Sequence, residues 1–545
     1  MRDPCKNPHM PISSALASQA ALASDNSQPD APAPEALNQR RLLDYWLGLL
    51  LVVPWLSPYT AGPTPNAWPW LISAFCAVGL WLLRHRLNTR LIASAWLLAA
   101  AVSAAIGLLQ YFGLAQAFSP WISQTAAGEA FANLRQRNQF ATLTSIGLIA
   151  LIALITLQVR KAPAKPVPGW AFLVMLLLAL GNAASLSRTG LLQWALVLAF
   201  TAGWALPDFK ARRALVLFAL QAMLAYLIAG LALPWLLQLS TGISSGGLFG
   251  RLAEPAGCGS RKVLWSNVLT LIAQKPWLGW GWGELSYAHF MTLYPGPRFC
   301  EILDNAHNLP LHLAVELGVP AALTLCLLAL WLVWRAKPWR ETDSPRQMAW
   351  AVLAVIMLHS LLEYPLWYGP FQIAFVLSAG LLWAGATRRR RGEAHAGVRP
   401  FSHENGRNSV LAQWIRVITA IIMIAILLMM AVSYQRVSQI YLPPEQRMPA
   451  YRDDPLKQVQ GLWLYRNQAR FAELSITALT PDNAAAQHAM ARELLHYSPE
   501  PRVIEKLIES AVMMGRDDEA LQYLARYRAA FAAEQAAWAK AHALR

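Results

Sequence analysis

The sequence predicts an all-α protein that crosses a membrane many times, and composition is the first reason. Of its 545 residues, 56% are hydrophobic and 14% are charged, whereas a typical soluble domain has about 25% charged residues. The second reason is that apolar runs of about 20 residues, the length that spans a bilayer, recur along the chain. The chain also holds 24 Trp, and its mean hydropathy is +0.33. These observations exclude a water-soluble globule.

The net charge of +16 is explained by basic residues that orient the membrane spans rather than by nucleic-acid binding. Most of the 46 Lys and Arg residues flank the apolar runs, as the positive-inside rule requires. The sequence contains no basic, aromatic module of the kinds that bind nucleic acid. A nucleic-acid partner is therefore not expected.

The first 39 residues differ from the rest of the chain. They are rich in Ala, Pro, Ser, Asn and Gln and contain no long apolar core. Such a composition predicts a disordered cytoplasmic arm at residues 1–39 rather than a signal peptide.

Eleven membrane spans are predicted, seven within residues 40–236 and four within residues 310–433. They lie near 42–59, 67–84, 91–113, 139–159, 169–187, 189–208, 213–236, 310–334, 347–367, 371–387 and 412–433. The two apolar runs that meet near residues 187–191 could form one broken helix. Merging them would disturb the alternation of charge between connections, so we count two spans.

Basic clusters fix the expected orientation of these spans. They occur near residues 84–90, 160–165, 210–213, 335–346 and 388–391, and they alternate with connections that are poor in Lys and Arg. Clusters of this kind face the cytoplasm. The N-terminus is therefore expected inside, and eleven crossings place the C-terminus outside.

Two soluble segments are then expected outside. Residues 237–309 form a long loop whose basic residues carry no topological signal, because long loops translocate regardless of charge. Residues 434–545 form an α-helical tail. Within it, residues 503–530 follow a pattern of helix, Gly-Arg-Asp-Asp turn and helix that is similar to a tetratricopeptide hairpin.

Two of the five cysteines, Cys258 and Cys300, fall in the outer loop. An oxidising compartment permits a disulfide between them, which would tie the two ends of the loop together. Cys76 and Cys326 lie inside predicted spans, where a thiol usually acts as a small apolar side chain.

Motifs of metal and nucleotide chemistry are missing from the sequence. It contains no HExxH, no paired CxxC, no Walker loop and no Asp-x-Asp. The alternating glycines of residues 279–283 follow a helical pattern and indicate a turn. We therefore expect neither a metal site nor a cofactor.

The polar residues of the apolar region cluster on the predicted outer face. They are residues 133–139, residues 185–190, Arg251 and Arg261 in the loop, residues 304–308, and Glu363, Tyr364 and Tyr368. Ionisable groups at a membrane edge are costly, and they are functional candidates for that reason.

Arginines that converge at a membrane surface indicate binding of a phosphorylated lipid. Guanidinium groups bind phosphate oxygens bidentately and stay charged at any relevant pH. Fixed cations also stabilise a diphosphate leaving group as its charge develops. His307 is the candidate general base for an acceptor hydroxyl, because imidazole titrates near neutral pH. Asp304 is the candidate group that orients it.

Several of these segments match motifs of a known family. They are Ser187-Arg188-Thr189-Gly190, Arg261-Lys262-Val263-Leu264-Trp265, Pro276-Trp277-Leu278-Gly279-Trp280-Gly281, Asn305-Ala306-His307-Asn308 and Glu316-Leu317-Gly318. Together they resemble the Wzy/O-antigen-ligase superfamily. Residues 134–142 and the helical tail further resemble its branch of bacterial protein O-oligosaccharyltransferases, the pilin-glycosylating PglL type.

The resemblance implies a fold and a reaction. The fold is a GT-C-like ligase bundle of transmembrane helices with a periplasmic loop. The reaction transfers a glycan from undecaprenyl diphosphate to a Ser or Thr hydroxyl of a periplasmic protein, such as type IV pilin, without metal or nucleotide. The expected location is the bacterial inner membrane. Inversion at the anomeric carbon is expected, because no carboxylate pair suggests a covalent glycosyl intermediate.

The resemblance also assigns roles to residues of this sequence. His307 matches the essential histidine of the family, and Arg188 and Arg261 match its diphosphate-side arginines. Gln139 matches a glutamine of the protein-glycosylating branch, with Gln136 as the competing assignment. Tyr364 matches a tyrosine at the outer end of a late span, with Tyr368 as its competitor. Further candidates for substrate binding are Arg251 and Asn308.

Two other functions stay open at this stage. The first is the same chemistry with a sugar acceptor, as in an O-antigen ligase or a Wzy-type polymerase. The second is a transporter of lipid-linked glycan, which would bind diphosphate with similar arginines and need no base. A transporter often shows internal repeats across its spans, and the sequence shows none.

Overall fold

The computed structural model describes residues 34–162, 166–204, 209–244, 247, 257–390 and 410–543. All regular structure within these ranges is helical. The chain divides into two compact units, residues 1–46 and residues 47–545. Of the predicted disordered arm, only residues 34–39 are described, and they are helical; the remainder lies outside the described residues.

Seven helices correspond to the seven spans predicted before the loop. They are α1 (Pro34–Leu56), α2 (Trp68–Leu82), α3 (Thr89–Tyr111), α4 (Arg137–Lys161), α5 (Gly169–Ala184), α6 (Arg188–Gly203) and α7 (Phe209–Thr241). The apolar runs that meet near residue 187 form two helices, as predicted. Ser187 separates them, because its hydroxyl accepts a hydrogen bond from the Gly190 amide at 3.1 Å and caps α6.

In its described part, the long loop contains two helices, α8 (Arg261–Gln274) and α9 (Leu285–Met291). The loop begins later than residue 237, because α7 continues to Thr241. Cys258 and Cys300 are joined in a disulfide, with Cα atoms 5.5 Å apart, just before α8 and between α9 and the next helix. The bond therefore ties the start of α8 to the far side of the loop.

The disulfide carries a testable expectation. Replacing both Cys258 and Cys300 with serine is expected to lower the free energy of unfolding of the loop by ~2–4 kcal/mol, because the unfolded loop gains freedom. Limited proteolysis of the purified protein measures this as faster cleavage within residues 257–308. A bridged peptide should appear in non-reducing mass mapping, and two free thiols in protein from an oxidising compartment would contradict the assignment.

Five further helices are described between the loop and the tail. They are α10 (Leu309–Leu317), α11 (Val319–Ala336), α12 (Ser344–Ser360), α13 (Gly369–Arg390) and α14 (Val410–Ser438). The predicted continuous span 310–334 is wrong, because the chain breaks between α10 and α11 at Gly318, whose φ is +87°. The predicted span 347–367 is too long, since α12 ends at Ser360 and a loop follows. The predicted start of the tail at 434 is too early, because α14 continues to Ser438.

Six described helices are long and apolar enough to cross a membrane: α3, α4, α7, α11, α13 and α14. Helices α2 and α5 are apolar but shorter. These findings agree with a protein that crosses the membrane several times. The number of eleven crossings stays a prediction.

Small residues let the central helices approach closely. Gly147 of α4 lies so near α3 that an added Cβ would come within 2.4 Å of the Ala100 Cβ, and Gly181 of α5 is similarly close to Ala104. Small residues at helix interfaces are typical of packing in membranes. The large buried side chains Trp96 and Trp194 belong to the same apolar core. A closely packed core of this kind holds the ends of its helices in fixed positions.

All regular structure in the described part of the tail is helical. Its helices are α15 (Pro455–Val459), α16 (Arg466–Ile476), α17 (Ala484–Tyr497), α18 (Pro501–Met513), α19 (Asp517–Ala530) and α20 (Ala532–Ala543). The predicted hairpin at 503–530 corresponds to α18 and α19, joined by a turn at Gly515 with φ +69°. Helix α9 of the loop packs against the tail, since Phe290 is buried in the tail's apolar core. The assignment to the tetratricopeptide class stays a prediction.

Candidate active site

Three helices begin with an arginine at the same cavity. These residues are Arg137 of α4, Arg188 of α6 and Arg261 of α8. Each helix is capped by a polar side chain that accepts a hydrogen bond from an amide of its first turn, namely Gln136, Ser187 and Ser260. The local sequence thus fixes each helix start, and the arginine that follows each cap is placed beside the cavity.

The cavity has a volume of about 780 Å³ and is dominated by positive charge. Arg137, Arg188, Arg261 and Lys262 line it, and Glu363 is the carboxylate in its wall. The helix N-termini add partial positive charge to that of the side chains. Arg188 makes no ion pair with any residue that the structure describes, so its charge is available to a ligand. The arrangement can bind an anion with more than one negative charge.

Glu363 connects this cavity to His307. The Arg261 guanidinium and the Asn138 amide both donate to Glu363 Oε1, the latter at 3.2 Å. The second carboxylate oxygen, Oε2, lies 2.6 Å from His307 Nδ1. The Ser187 hydroxyl donates to Asn138 Oδ1 at 2.6 Å, which adds the start of α6 to the network. One buried carboxylate, 8% exposed, thus links α4, α6, α8 and the histidine loop, by which we mean residues 304–308 before α10.

The surroundings keep the Glu363 carboxyl ionised. Burial by itself would raise the pKa of this carboxyl, but the hydrogen bond from His307 and the charge of Arg261 bring the pKa below its ordinary value. Glu363 lies three residues beyond the end of α12. At neutral pH the group is therefore a negative charge that accepts hydrogen bonds from both partners.

His307 is held in an unusual backbone conformation, with φ of +49°. Asn305 stabilises it, because its Oδ1 accepts a hydrogen bond from the His307 amide at 2.9 Å. A non-glycine residue in this region costs energy and is often found at functional sites. The ring is 17% exposed. With Nδ1 hydrogen-bonded to Glu363, Nε2 is the nitrogen that can take a proton from a substrate.

The two tyrosine candidates form a stack beside this histidine. The Tyr364 ring meets the His307 ring edge-on, with centroids 5.0 Å apart, and stacks on Tyr368 at 5.9 Å. Gln139 is buried near Tyr368, and its Oε1 lacks a hydrogen-bond partner within the described ranges. Gln136, by contrast, is used as the cap of α4. Tyr364, and not Tyr368, is thus the tyrosine in contact with His307, and the choice of Gln139 over Gln136 stays a prediction.

Other predicted residues have different positions. Asn308 caps α10 by accepting from the Leu311 amide at 3.1 Å, and its Nδ2 donates to the Leu361 carbonyl at 3.0 Å. Its contacts thus hold the histidine loop against the loop after α12. Arg251 lies outside the described residues. Within the described ranges, no three His, Cys, Asp or Glu side chains are grouped so that they could hold a metal ion.

The prediction that Asp304 orients His307 is wrong. Glu363, and not Asp304, makes the hydrogen bond to the His307 ring. Burial raises the pKa of the Asp304 carboxyl, although the nearby His307 partly offsets this. The sequence offered one signal for Glu363, namely its place in a polar group at the outer end of a predicted span. Its partners Arg261 and Asn138 lie 102 and 225 residues away, a separation that no sequence pattern reports.

Sequence reasoning assigned no individual role to two of the cavity's cations. Arg137 and Lys262 both line the cavity, and Arg137 forms an ion pair with Glu129 at 3.1 Å. Arg137 follows the cap of α4, and Lys262 follows Arg261. The signal that could have found them is the repeated pattern of a polar cap followed by a basic residue at a helix start.

Sequence comparisons with known families match three separate parts of the chain. Residues 173–326 match the family described as O-antigen ligase. Residues 347–545 match the family described as virulence factor membrane-bound polymerase, C-terminal. Residues 130–155 match the family described as protein glycosylation ligase. Arg188, Arg261 and His307 fall in the first match, Glu363 in the second and Gln139 in the third.

Two proteins of Acinetobacter baylyi are similar to parts of the chain. A general O-oligosaccharyltransferase is 26% identical over 295 residues, which are 52% of this chain and 49% of that protein. A ComP-specific O-oligosaccharyltransferase is 30% identical over 114 residues, 21% of each chain. The chain thus spans half or less of the length of the relatives it matches. The family matches and these relatives confirm the resemblance drawn from the motifs: three parts of the chain are similar to O-antigen ligases, membrane-bound polymerases and protein glycosylation ligases.

Proposed function

We propose that this chain is a glycosyltransferase that moves a glycan from undecaprenyl diphosphate to a Ser or Thr hydroxyl of a periplasmic protein such as type IV pilin. The observation that carries the proposal is the Glu363 carboxylate. Its Oε1 accepts a hydrogen bond from Arg261, which lines the anion-binding cavity, and its Oε2 accepts a hydrogen bond from His307. An anion site and a base are thereby held in one network.

On the donor side, the cavity residues hold the diphosphate. Arg188 and Arg261 present guanidinium groups, and Arg137 and Lys262 add two further cations. The bond between the sugar and the diphosphate breaks with its electron pair on the diphosphate oxygen, so negative charge grows on the leaving group. Cations and helix N-termini that are already in place stabilise that charge without reorganisation.

On the acceptor side, His307 is the base. As the acceptor oxygen attacks the anomeric carbon, the hydroxyl proton passes to Nε2, and Glu363 stabilises the imidazolium that forms. The attack occurs on the face opposite the diphosphate, so the reaction inverts the anomeric configuration. The contact between Tyr364 and His307 limits how the ring can turn.

The location that goes with this function is the bacterial inner membrane. Eleven spans with a cytoplasmic N-terminus would place the cavity, the loop and the tail in the periplasm. The positions of basic residues support this orientation. The cavity lies at the starts of α4 and α6, whereas Arg160 lies at the far end of α4 and Arg212 follows the far end of α6, near the start of α7. Basic residues of this kind face the cytoplasm.

A sugar acceptor is the second candidate. It is favoured by the match of residues 173–326 to the O-antigen ligase family. A protein acceptor is favoured by the match of residues 130–155 to the protein glycosylation ligase family and by the names of both relatives. Residues 130–155 contain Gln139, which lies near the tyrosine stack.

The deciding experiment uses the purified full chain in lipid bilayers with undecaprenyl-diphosphate glycan as donor. One reaction contains a candidate pilin, and the other contains a glycan acceptor. Intact-mass spectrometry should show the glycan mass added to the pilin. Modification of the glycan acceptor alone would establish the ligase or polymerase function, and modification of neither would contradict the proposal.

Arg261 should affect both donor binding and turnover. Arg261→Ala is expected to lower transfer by roughly 10²–10³-fold, as loss of one preorganised charge donor usually does, and to weaken donor binding. Arg261→Lys should restore part of the rate, because an ammonium keeps the charge but loses the bidentate fork. Initial rates over a range of donor concentrations measure both effects. Arg466→Ala in the exposed tail is the control, and an unchanged Arg261→Ala protein would exclude the diphosphate role.

A further inference from the structure

The segment between α8 and α9 exposes two adjacent apolar side chains. Trp277 is 77% exposed and Leu278 is 85% exposed. Large apolar side chains that are this exposed, side by side in a loop, indicate a contact with something outside the chain. We call these two residues the Trp-Leu tip.

The Trp-Leu tip is held rigidly at the junction of α10 and α11. The Val319 amide donates to the Pro276 carbonyl at 2.8 Å, and the Trp280 amide donates to the Val315 carbonyl at 2.8 Å. The backbones approach so closely that a Cβ on Gly318 would lie 2.1 Å from the Trp277 carbonyl oxygen. Glycine is therefore required there, and its φ of +87° is also one that glycine tolerates. The position of the tip relative to α11 is consequently fixed.

Helix α11 identifies the surroundings of that position. It is a candidate membrane span, and Ala322 is its only buried residue. Its exposed side chains include Leu323, Leu325, Leu327, Leu328, Leu330 and Trp331. An apolar helix that is exposed around most of its circumference is covered by lipid when it spans a membrane. Because Val319 is its first residue, the tip lies level with the outer end of a lipid-covered helix.

We propose that the Trp-Leu tip inserts into the outer leaflet of the bilayer and anchors the periplasmic loop there. Trp is the side chain most typical of the membrane–water boundary. Lys275 lies next to the tip, and its ammonium is 4.1 Å from the centre of the Trp280 ring. Its positive charge can interact with lipid phosphates at the membrane surface. The backbone just before the tip is hydrogen-bonded to the first residue of α11, so the tip lies next to the surface that lipid covers.

The anchor has a consequence for the active site, which rests on the proposed function. Helix α8 runs from Arg261 at the cavity to Gln274, one residue before Lys275. Its 14 residues form a rod of about 20 Å. The disulfide at Cys258 fixes one end of this rod, and the anchor fixes the other. The anchor therefore sets the depth of Arg261 relative to the phosphates of lipid-linked donors.

The first test measures lipid contact and does not need activity. Leu278→Cys is introduced into the full chain carrying Cys5→Ser, Cys76→Ala and Cys326→Ala, labelled without reductant with an environment-sensitive dye, and placed in nanodiscs. Leu521→Cys in the tail, a leucine that is 62% exposed, is the matched control. The dye at 278 should shift to shorter emission wavelengths and be quenched by lipids spin-labelled near the head group.

The dye at position 521 should show neither effect. Equal, weak quenching at both positions would overturn the proposal. A comparison of nanodiscs that hold one chain with nanodiscs that hold two distinguishes contact with lipid from contact with a second copy of the chain. A dye at position 278 that is shielded only when two chains share a disc would assign the tip to contact between copies.

The second test measures the effect of the anchor on glycan transfer. Trp277→Ser combined with Leu278→Ser should reduce transfer in bilayers, with a higher donor KM, whereas Leu521→Ser should not. If the unmutated chain transfers no glycan at all, the proposed function fails while the quenching result stands. If the double variant loses lipid quenching at nearby labels but keeps wild-type transfer, the anchor exists but does not set the depth of Arg261.

Discussion

The His307→Ala protein is expected to fold and to bind the lipid-linked donor but to transfer glycan ~10²–10⁴-fold more slowly, the usual contribution of a positioned proton acceptor. The ring lies at a partly exposed position and so contributes little to core packing. Single-turnover reactions with undecaprenyl-diphosphate glycan and a pilin acceptor measure the chemical step, and a separate titration measures donor binding.

A second histidine–carboxylate pair supplies the control for this substitution. His496 of the tail lies 2.7 Å from Glu284 of the loop, outside the set of residues that line the cavity. His496→Ala should therefore retain the rate of the unmutated protein. Wild-type transfer by His307→Ala would refute the assignment of the base, and donor binding without any transfer by the unmutated chain would favour a transporter.

Glu363→Gln is expected to lower transfer by about 10²- to 10⁴-fold, the range for loss of a correctly placed base. The amide keeps the size of the side chain but loses the negative charge. Arg261 then lacks its ion-pair partner, and His307 Nδ1 faces a group that stabilises an imidazolium poorly. Glu363 acts on the reaction through these two residues, so it is a positioning residue.

A pH profile separates this role from a structural one. The acid limb of the rate profile reports protonation of the base. In Glu363→Gln it should move to lower pH, because the missing negative charge no longer favours the protonated imidazole. Glu363→Asp should recover part of the rate, and Glu284→Gln, which makes the same change in the other pair, should alter neither rate nor profile. A slow Glu363→Gln enzyme with an unshifted acid limb and a lowered Tm would mean that the carboxylate only supports the fold.

The sequence alone determined where most helices lie, because length, hydropathy and capping are local properties. Each predicted span before the loop overlaps one of the helices α1 to α7, and Ser187 separates α5 from α6 as the charge pattern required. Motif resemblance likewise identified Arg188, Arg261 and His307 as a group. Local signals sufficed there, since each of these residues sits in a short segment with a characteristic neighbourhood.

Only the tertiary structure decided how these segments meet. At the break, Gly318 lies directly against the Trp277 carbonyl, a contact that hydropathy does not report. Glu363 owes its role to partners 56 and 102 residues away, and Arg137 reaches the same cavity from another helix. An ion pair or a close backbone approach depends on distances in space, and residues far apart in the chain acquire those distances only when the helices pack.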